Sequence, residues 1–258
     1  MDPTLVSPET FQRFLICLAR IGALVGTMPV FSGGQTPMRI KAGLAVVFTL
    51  VVFPVVSPLL PKIPFEPFTL VILLTKEVML GVMVGFVARL MFTAVEFGGT
   101  VIGYQMGFAA ANVFDPQNQR QISLIGQFQN IFAILIFLAV DGHHLLLRAT
   151  VESFRMLPPG TENLSGEAIP YLLELTGSMF VFAVKFSAPI LAVLLLSALV
   201  MGIMGRVFPQ LNVFMLSYAI NIGVSFLVMG LTLNMVAALL EHEFGNMGGQ
   251  ILELFNRL

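Results

Sequence analysis

Charge is what this chain has least of. Lys, Arg, Asp and Glu supply only 10% of its 258 residues against 57% hydrophobic residues, and the mean hydropathy is +0.93. That balance lies outside the range of soluble domains, so the chain is an integral membrane protein. The 13 basic and 14 acidic residues nearly cancel. With no basic excess to neutralise phosphates, nucleic acid is not expected as a partner. Cys17 is the only cysteine, which rules out an intramolecular disulfide and a cysteine metal cage. No HExxH, GxSxG or P-loop pattern occurs, which argues against an enzyme. Met1-Asp2-Pro3 lacks the basic region of a signal peptide and no Ala-x-Ala spacing follows, so the first apolar stretch is expected to be retained. Neither a fixed-period repeat nor a linker between soluble domains is visible.

What is present is a series of six apolar runs: Phe11 to Phe31, Ala42 to Leu60, Phe68 to Phe92, Ile122 to Val140, Phe180 to Met204 and Phe214 to Leu240. A hydrocarbon core of about 30 Å takes about 20 apolar residues to cross as a helix. The runs are too long for barrel strands, and lipid-exposed chain must satisfy its own backbone, so an all-α membrane protein is expected. Turn chemistry separates the runs at Ser32-Gly33-Gly34, Pro58 to Pro67, Asp115-Pro116, Pro158-Pro159-Gly160 and Phe208-Pro209. Arg39 and Lys41 after the first run, against Glu152, Glu162, Glu167 and Glu174 after the fourth, place the first loop in the cytoplasm and both termini outside.

Charges inside the runs are the sharpest signal. Arg20, Lys76, Glu77 and Lys185 all lie within them. A lipid-facing charge near the bilayer centre costs several kcal/mol, so these groups must face protein or water. With Arg89 and Glu96 downstream, Lys76-Glu77 fits either a proton or ion relay or an ion pair that fixes assembly. The lack of Asp or His in the middle of a run favours the ion pair. Glycines four apart, Gly22 and Gly26, Gly81 and Gly85, and the ladder Gly99, Gly103, Gly107 with Ala111, predict close helix contacts, preferentially within the chain. Asp141-Gly-His-His144 clusters metal-ligand types, but adjacent histidines face different sides of a helix, so a polar helix end is expected there and no metal site.

Thr100 to Asn130 interleaves uncharged polar residues, among them Tyr104, Gln105, Asn112 and Gln117, with Met106, Phe108, Val113 and Phe114. It is too polar for lipid. A re-entrant or pore-lining loop and a plain solvent loop fit its local pattern equally.

The run Gly103-Tyr-Gln-Met-Gly-Phe-Ala-Ala-Ala-Asn-Val-Phe-Asp-Pro116, followed by Gln117 to Gln121, resembles the central loop of the FliR/SctT family of type III export-gate proteins. Gly205-Arg-Val-Phe-Pro-Gln-Leu-Asn-Val-Phe214 resembles that family's Arg-x-x-Pro-Gln-x-Asn-x-Phe signature, and Arg20 to Gly33, with Pro29-Val-Phe-Ser, also fits. The resemblance covers essentially the whole chain. It implies one integral membrane domain over residues 1–258, built of bent helical hairpins and resembling a fusion of the FliP and FliQ folds. The FliP-like portion would run to about residue 175 and the FliQ-like portion from about residue 176.

As implied by the resemblance, such a chain joins several FliP and FliQ subunits in a helical hetero-oligomeric gate of the bacterial inner membrane, in the flagellar basal body. FlhB, rod proteins and unfolded export substrates would be its further partners, and no cofactor or metal is implied. The channel plug would comprise Met106, Gly107, Phe108, Ala109, Ala110, Ala111, Asn112, Val113 and Phe114, extending to Gln121. Arg20, Lys76, Glu77, Glu96, Lys185 and Arg206 would be buried or intersubunit charges. Arg20, Lys76, Lys185 and Arg206 are expected to lack partners in the isolated chain. Pro209, Gln210 and Asn212 would mark a hairpin bend at a subunit interface. The alternatives are the virulence counterpart of the same family and an ion-coupled small-molecule transporter with a midplane site at Lys76, Glu77 and Lys185.

Overall fold

The computed structural model describes residues 7–32, 36–60, 66–107, 123–160 and 166–258. Among them the regular structure is entirely helical: α1 (Pro8–Thr27), α2 (Pro29–Ser32), α3 (Met38–Val56) with a 3-10 turn at Ser57–Leu59, α4 (Pro67–Gln105), α5 (Leu124–Ala139), α6 (Gly142–Met156), α7 (Ala168–Val207) and α8 (Val213–Asn256). Five of the described helices, α1, α3, α4, α7 and α8, are long and apolar enough to cross a membrane. At 16 residues α5 is shorter, about 24 Å, and counts as a span only if joined to α6 across the break at Val140–Asp141. The chain is an all-α membrane protein.

Local chemistry sets the ends. Ser7 caps α1, its Oγ accepting from the Thr10 amide at 3.2 Å, with Pro8 in the first turn. Pro29 follows the last turn. Gln12, Ile16, Cys17, Arg20, Ile21, Leu24 and Val25 form the buried stripe of this helix, a spacing of three to four residues along one face. At Asp141 the chain takes a left-handed conformation, φ 56°, before α6 begins.

The chain divides into two compact units, each interrupted in sequence. The first comprises residues 1–90, 140–176 and 244–258, the second residues 91–139 and 177–243. In the first, Ile16, Cys17, Ile21, Val25, Val56, Leu73 and Phe154 centre the apolar core, with Leu44, Phe48 and Phe53 packed against it. In the second, Ile102, Met106, Ile125, Ile190, Leu194 and Met229 form the corresponding cluster.

Two expectations shift. The polar segment Thr100 to Asn130 is not one loop: α4 continues to Gln105 and α5 starts at Leu124, so Tyr104, Gln105, Gln127, Gln129 and Asn130 belong to helices. Each helix keeps bonding its own backbone, and these side chains need only an aqueous or protein face. Both membrane-crossing helices of the C-terminal half also outrun their apolar cores, at 40 and 44 residues.

Between those two helices, Phe208 to Asn212 leaves the helical path. Pro209 has no amide hydrogen and restrains Phe208 away from helix geometry. Asn212 opens α8, its Oδ1 accepting from the Met215 amide at 3.2 Å. Ser197 donates to Asn221 Oδ1 at 2.6 Å across the pair, equidistant in sequence from Pro209, so the helices return antiparallel. Asn212→Ala should lower the stability of the purified chain by about 1 kcal/mol in detergent thermal unfolding, while Asn212→Asp, which keeps the capping oxygen, should leave it near the parent.

Candidate functional site

Two places combine polar chemistry with tight helix contacts. In the first unit Arg20 of α1 is 1% and Glu77 of α4 is 0% exposed. Arg20 Nε donates to Glu77 Oε2 at 2.6 Å and Nη2 to Oε1 at 3.1 Å, a bidentate pair. Nη1 donates to Ser153 Oγ at 2.9 Å, and Nη2 also donates to the Leu157 carbonyl at 3.0 Å, where α6 has ended. The Ser153 hydroxyl donates in turn to the Thr150 carbonyl at 2.6 Å. The guanidinium lies 4.0 Å from the centroid of the Phe154 ring. Helix α4, helix α6 and the end of α6 therefore converge on the α1 cation, each of whose three nitrogens donates to an acceptor.

Glycines let those helices approach. A Cβ on Gly81 would collide with the Arg20 carbonyl oxygen and lie 2.8 Å from Ala23 Cβ, and one on Gly85 would collide with the Thr27 side chain. Contacts advance in the same direction along both helices, 77 with 20, 81 with 20 and 23, 85 with 27, so α1 and α4 run parallel at this crossing.

This arrangement corrects one expectation: Arg20 has its counter-charge in its own chain, because the parallel crossing sets Glu77 beside it. Lys76, the next residue on α4, is half-buried. Glu96, Lys185 and Arg206 are exposed in the isolated chain, so within it they are surface groups and not buried ones. No side chain of the sequence signalled Ser153, Phe154 or the Leu157 carbonyl as partners. Only the fold brings α6 to Arg20.

The second place is the base of the central segment, in the second unit. Met106 ends α4 fully buried among Ile102, Ile125, Ile190, Leu194 and Met229. Gly107 follows at φ +93°, its amide donating to the Tyr104 carbonyl at 3.1 Å, as a glycine terminating a helix does. The Tyr218 ring of α8 fills the space that a Cβ on Gly107 would need. Phe214 meets Tyr218 edge-on, ring centroids 4.8 Å apart.

On the far side, Ser123 opens α5 by accepting from the Gly126 amide at 3.1 Å and donates to the Gly99 carbonyl at 3.4 Å. A Cβ on Gly103 would lie 2.7 Å from Ser123 Oγ, and one on Gly99 would lie 2.6 Å from Gly126 Cα. The glycine ladder thus packs α4 against α5 antiparallel. Phe108, Ala109, Ala110, Ala111, Asn112, Val113 and Phe114 lie outside the described residues. Met106 belongs to the anchoring core.

The turn at Val140–Asp141 brings ligand atoms of Asp141, His143 and His144 within 4.8 Å of one another, closer than helical spacing predicts. His144 Nδ1 lies 3.1 Å from Asp141 Oδ1. The group is largely exposed and stands at the N-terminus of α6, where the helix dipole disfavours a cation.

The sequence model of the family described as bacterial export proteins, family 1, matches residues 11–247. The chain belongs to the FliR family of bacterial export proteins. It is 33% identical over 239 residues to the flagellar biosynthetic protein FliR of Bacillus subtilis, covering 92% of each chain. To FliR of Pectobacterium carotovorum it is 32% identical over 247 residues, 96% of this chain and 94% of the relative. To FliR of Escherichia coli it is 28% identical over 243 residues, covering 93% and 92%. The matched span takes in both the Arg20–Glu77 cluster and the loop base, so neither place is an appendage to the FliR-family core.

Glu77→Ala should destabilise the chain by about 3–5 kcal/mol, because it leaves a buried guanidinium uncompensated. The double replacement Arg20→Met with Glu77→Leu should cost much less than either single removal, and chemical or thermal unfolding of detergent-solubilised variants reads the difference.

Proposed function

We propose that the chain is a subunit of the flagellar type III export gate that helps to form a protein-conducting channel and closes it with its central segment. The observation that carries the flagellar reading is the near full-length similarity to relatives whose names are flagellar. Flagellar rod, hook and filament proteins would be the cargo, FliP and FliQ the neighbouring subunits, FlhB and rod proteins further contacts, and the inner membrane at the basal body the site. The long α7–α8 hairpin is consistent with a FliQ-like portion from about residue 176, after a FliP-like portion to about residue 175.

The loop base supports the plugging role. A segment pinned at Gly107 and Ser123 can fill a constriction without either framing helix moving. A gate must pass polypeptides of varied sequence without binding them strongly and must stop ions at rest, and hydrophobic constrictions do so by dewetting. Met106 and Tyr218 would hold the stem, and Phe108 and Phe114 would supply the apolar filling. Uncharged Asn112 and the glutamines up to Gln121 would stay wet without holding charged cargo. Exposed Glu96, Lys185 and Arg206 would meet other subunits, and Pro209, Gln210 and Asn212 would place the hairpin bend at an interface.

Deleting Gly107 to Ala111 in cells expressing the whole gate should leave assembly intact and raise small-ion conductance. Phe108→Ala and Phe114→Ala should leak less than the deletion, since each removes part of the filling. Tyr218→Ala should leak to an intermediate extent by loosening the stem, and Tyr218→Phe should behave as the parent. An assembled deletion variant with parental conductance would refute the plug, and failure of the intact chain to restore swimming to a FliR-deficient flagellated bacterium would refute the flagellar role.

A further inference from the structure

Lys185 stands on a face of α7 that its own chain leaves open. Phe182, Ala183, Phe186 and Ile190 bury the opposite face, whereas Val181 and Val184 beside Lys185 are 54% and 61% exposed. Toward the C-terminal end the open side continues as Leu195, Leu196 and Leu199, all more than half exposed. Among the described residues no carboxylate pairs with Lys185: the buried carboxylate of Glu77 is committed to Arg20, and the remaining ion pairs are surface pairs elsewhere in sequence. A lysine facing lipid at depth costs about 2.5–3.5 kcal/mol.

The backbone adds a second polar group at the same place. Pro189 lies inside α7, four residues after Lys185. Having no amide hydrogen, it cannot donate to the Lys185 carbonyl as a residue at that position in a helix otherwise would. One residue thus offers an ammonium donor and a carbonyl that lacks its usual helical donor, on an otherwise apolar face. Ala188 and Ala192, both exposed and one turn apart, remove side-chain bulk next to it. Small residues four apart are what a second helix needs for close approach, and lipid needs no such thing.

We infer that the Lys185 face of α7 docks a membrane-spanning helix of a neighbouring subunit, one bearing an Asp or Glu level with Lys185 and a Ser, Thr or Asn donor within a turn to reach the Lys185 carbonyl. The inference rests on the gate-subunit reading and adds to it the place and chemistry of one contact. The carboxylate takes the ammonium charge out of lipid, the hydroxyl or amide satisfies the carbonyl, and the alanines set the helix separation. Neither polar group then needs water.

The test uses the full chain in bacterial membranes that contain the whole gate. A membrane-permeant carbodiimide activates carboxylates toward adjacent amines, and mass spectrometry of the Lys185 peptide identifies what it joins. The expected product is an amide between Lys185 and an Asp or Glu of a different subunit. With an affinity tag on this chain, Lys185→Ala and Lys185→Glu should recover at least tenfold less of that subunit, and Lys185→Arg should stay within about twofold of the parent. Exchanging the joined carboxylate for Lys should restore recovery with Lys185→Glu. Thermal unfolding of Lys185→Ala alone in detergent should match the parent, because the side chain makes no ion pair among the described residues. An amide to a carboxylate of this same chain, such as Glu96, would overturn the inference. So would parental recovery with Lys185→Glu, or a loss that tracks only the anionic-lipid content of the membrane, which would assign Lys185 to a lipid phosphate. If the untagged partners fail to co-purify even with the parent, the gate-subunit reading falls first.

Discussion

Everything in the first unit is arranged around one buried cation. Taking a guanidinium and a carboxylate out of water is costly, and their attraction compensates only when the geometry is good and the remaining donors find acceptors. Arg20 meets those conditions with two bonds to Glu77, one to Ser153, one to the Leu157 carbonyl and a ring face from Phe154. Because Arg20 lies on α1 and its partners come from α4 and α6, the cluster fixes the register of three helices at once. A one-residue slip along α4 would put Lys76 or Val78 where Glu77 now lies, and the charge would be stranded. Apolar packing alone has no such penalty for slipping, since one aliphatic side chain serves nearly as well as another.

Glycine does the complementary work. Lipid tails are as apolar as leucine, so membrane helices gain little from hydrophobic contrast and depend on close contact and polar bonds. Gly81 and Gly85 continue the Glu77 stripe and bring the α1 backbone against α4, while Gly99 and Gly103 do the same for α5. The first crossing is parallel and the second antiparallel. A parallel pair needs a long connection, supplied by α2 and α3, and an antiparallel pair needs only a loop.

Helices α1, α4, α5 and α6 bear the buried pair and the glycine contacts. The open faces of α3, α7 and α8, with residues such as Val51, Leu196 and Leu231 mostly exposed, are larger than a water-soluble monomer tolerates and belong against lipid or other subunits.

Hydropathy and turn chemistry alone determined the helical class, the approximate spans, the break at Pro209 and the need for buried charges to find partners, because each depends on transfer energy or local backbone geometry. Two motifs were enough to indicate the FliR/SctT resemblance. The helical ends of the polar segment were not legible, since Gln and Asn are compatible with a helix wherever one side is wet. Nor was the identity of the partner of Arg20: Glu77 and Ser153 lie 57 and 133 residues away, and nothing local couples them. Nothing local marks Tyr218, whose ring meets Gly107 only because α8 folds back over it. Pairing across such separations depends on which backbones glycine allows to touch, and only the tertiary structure decides that.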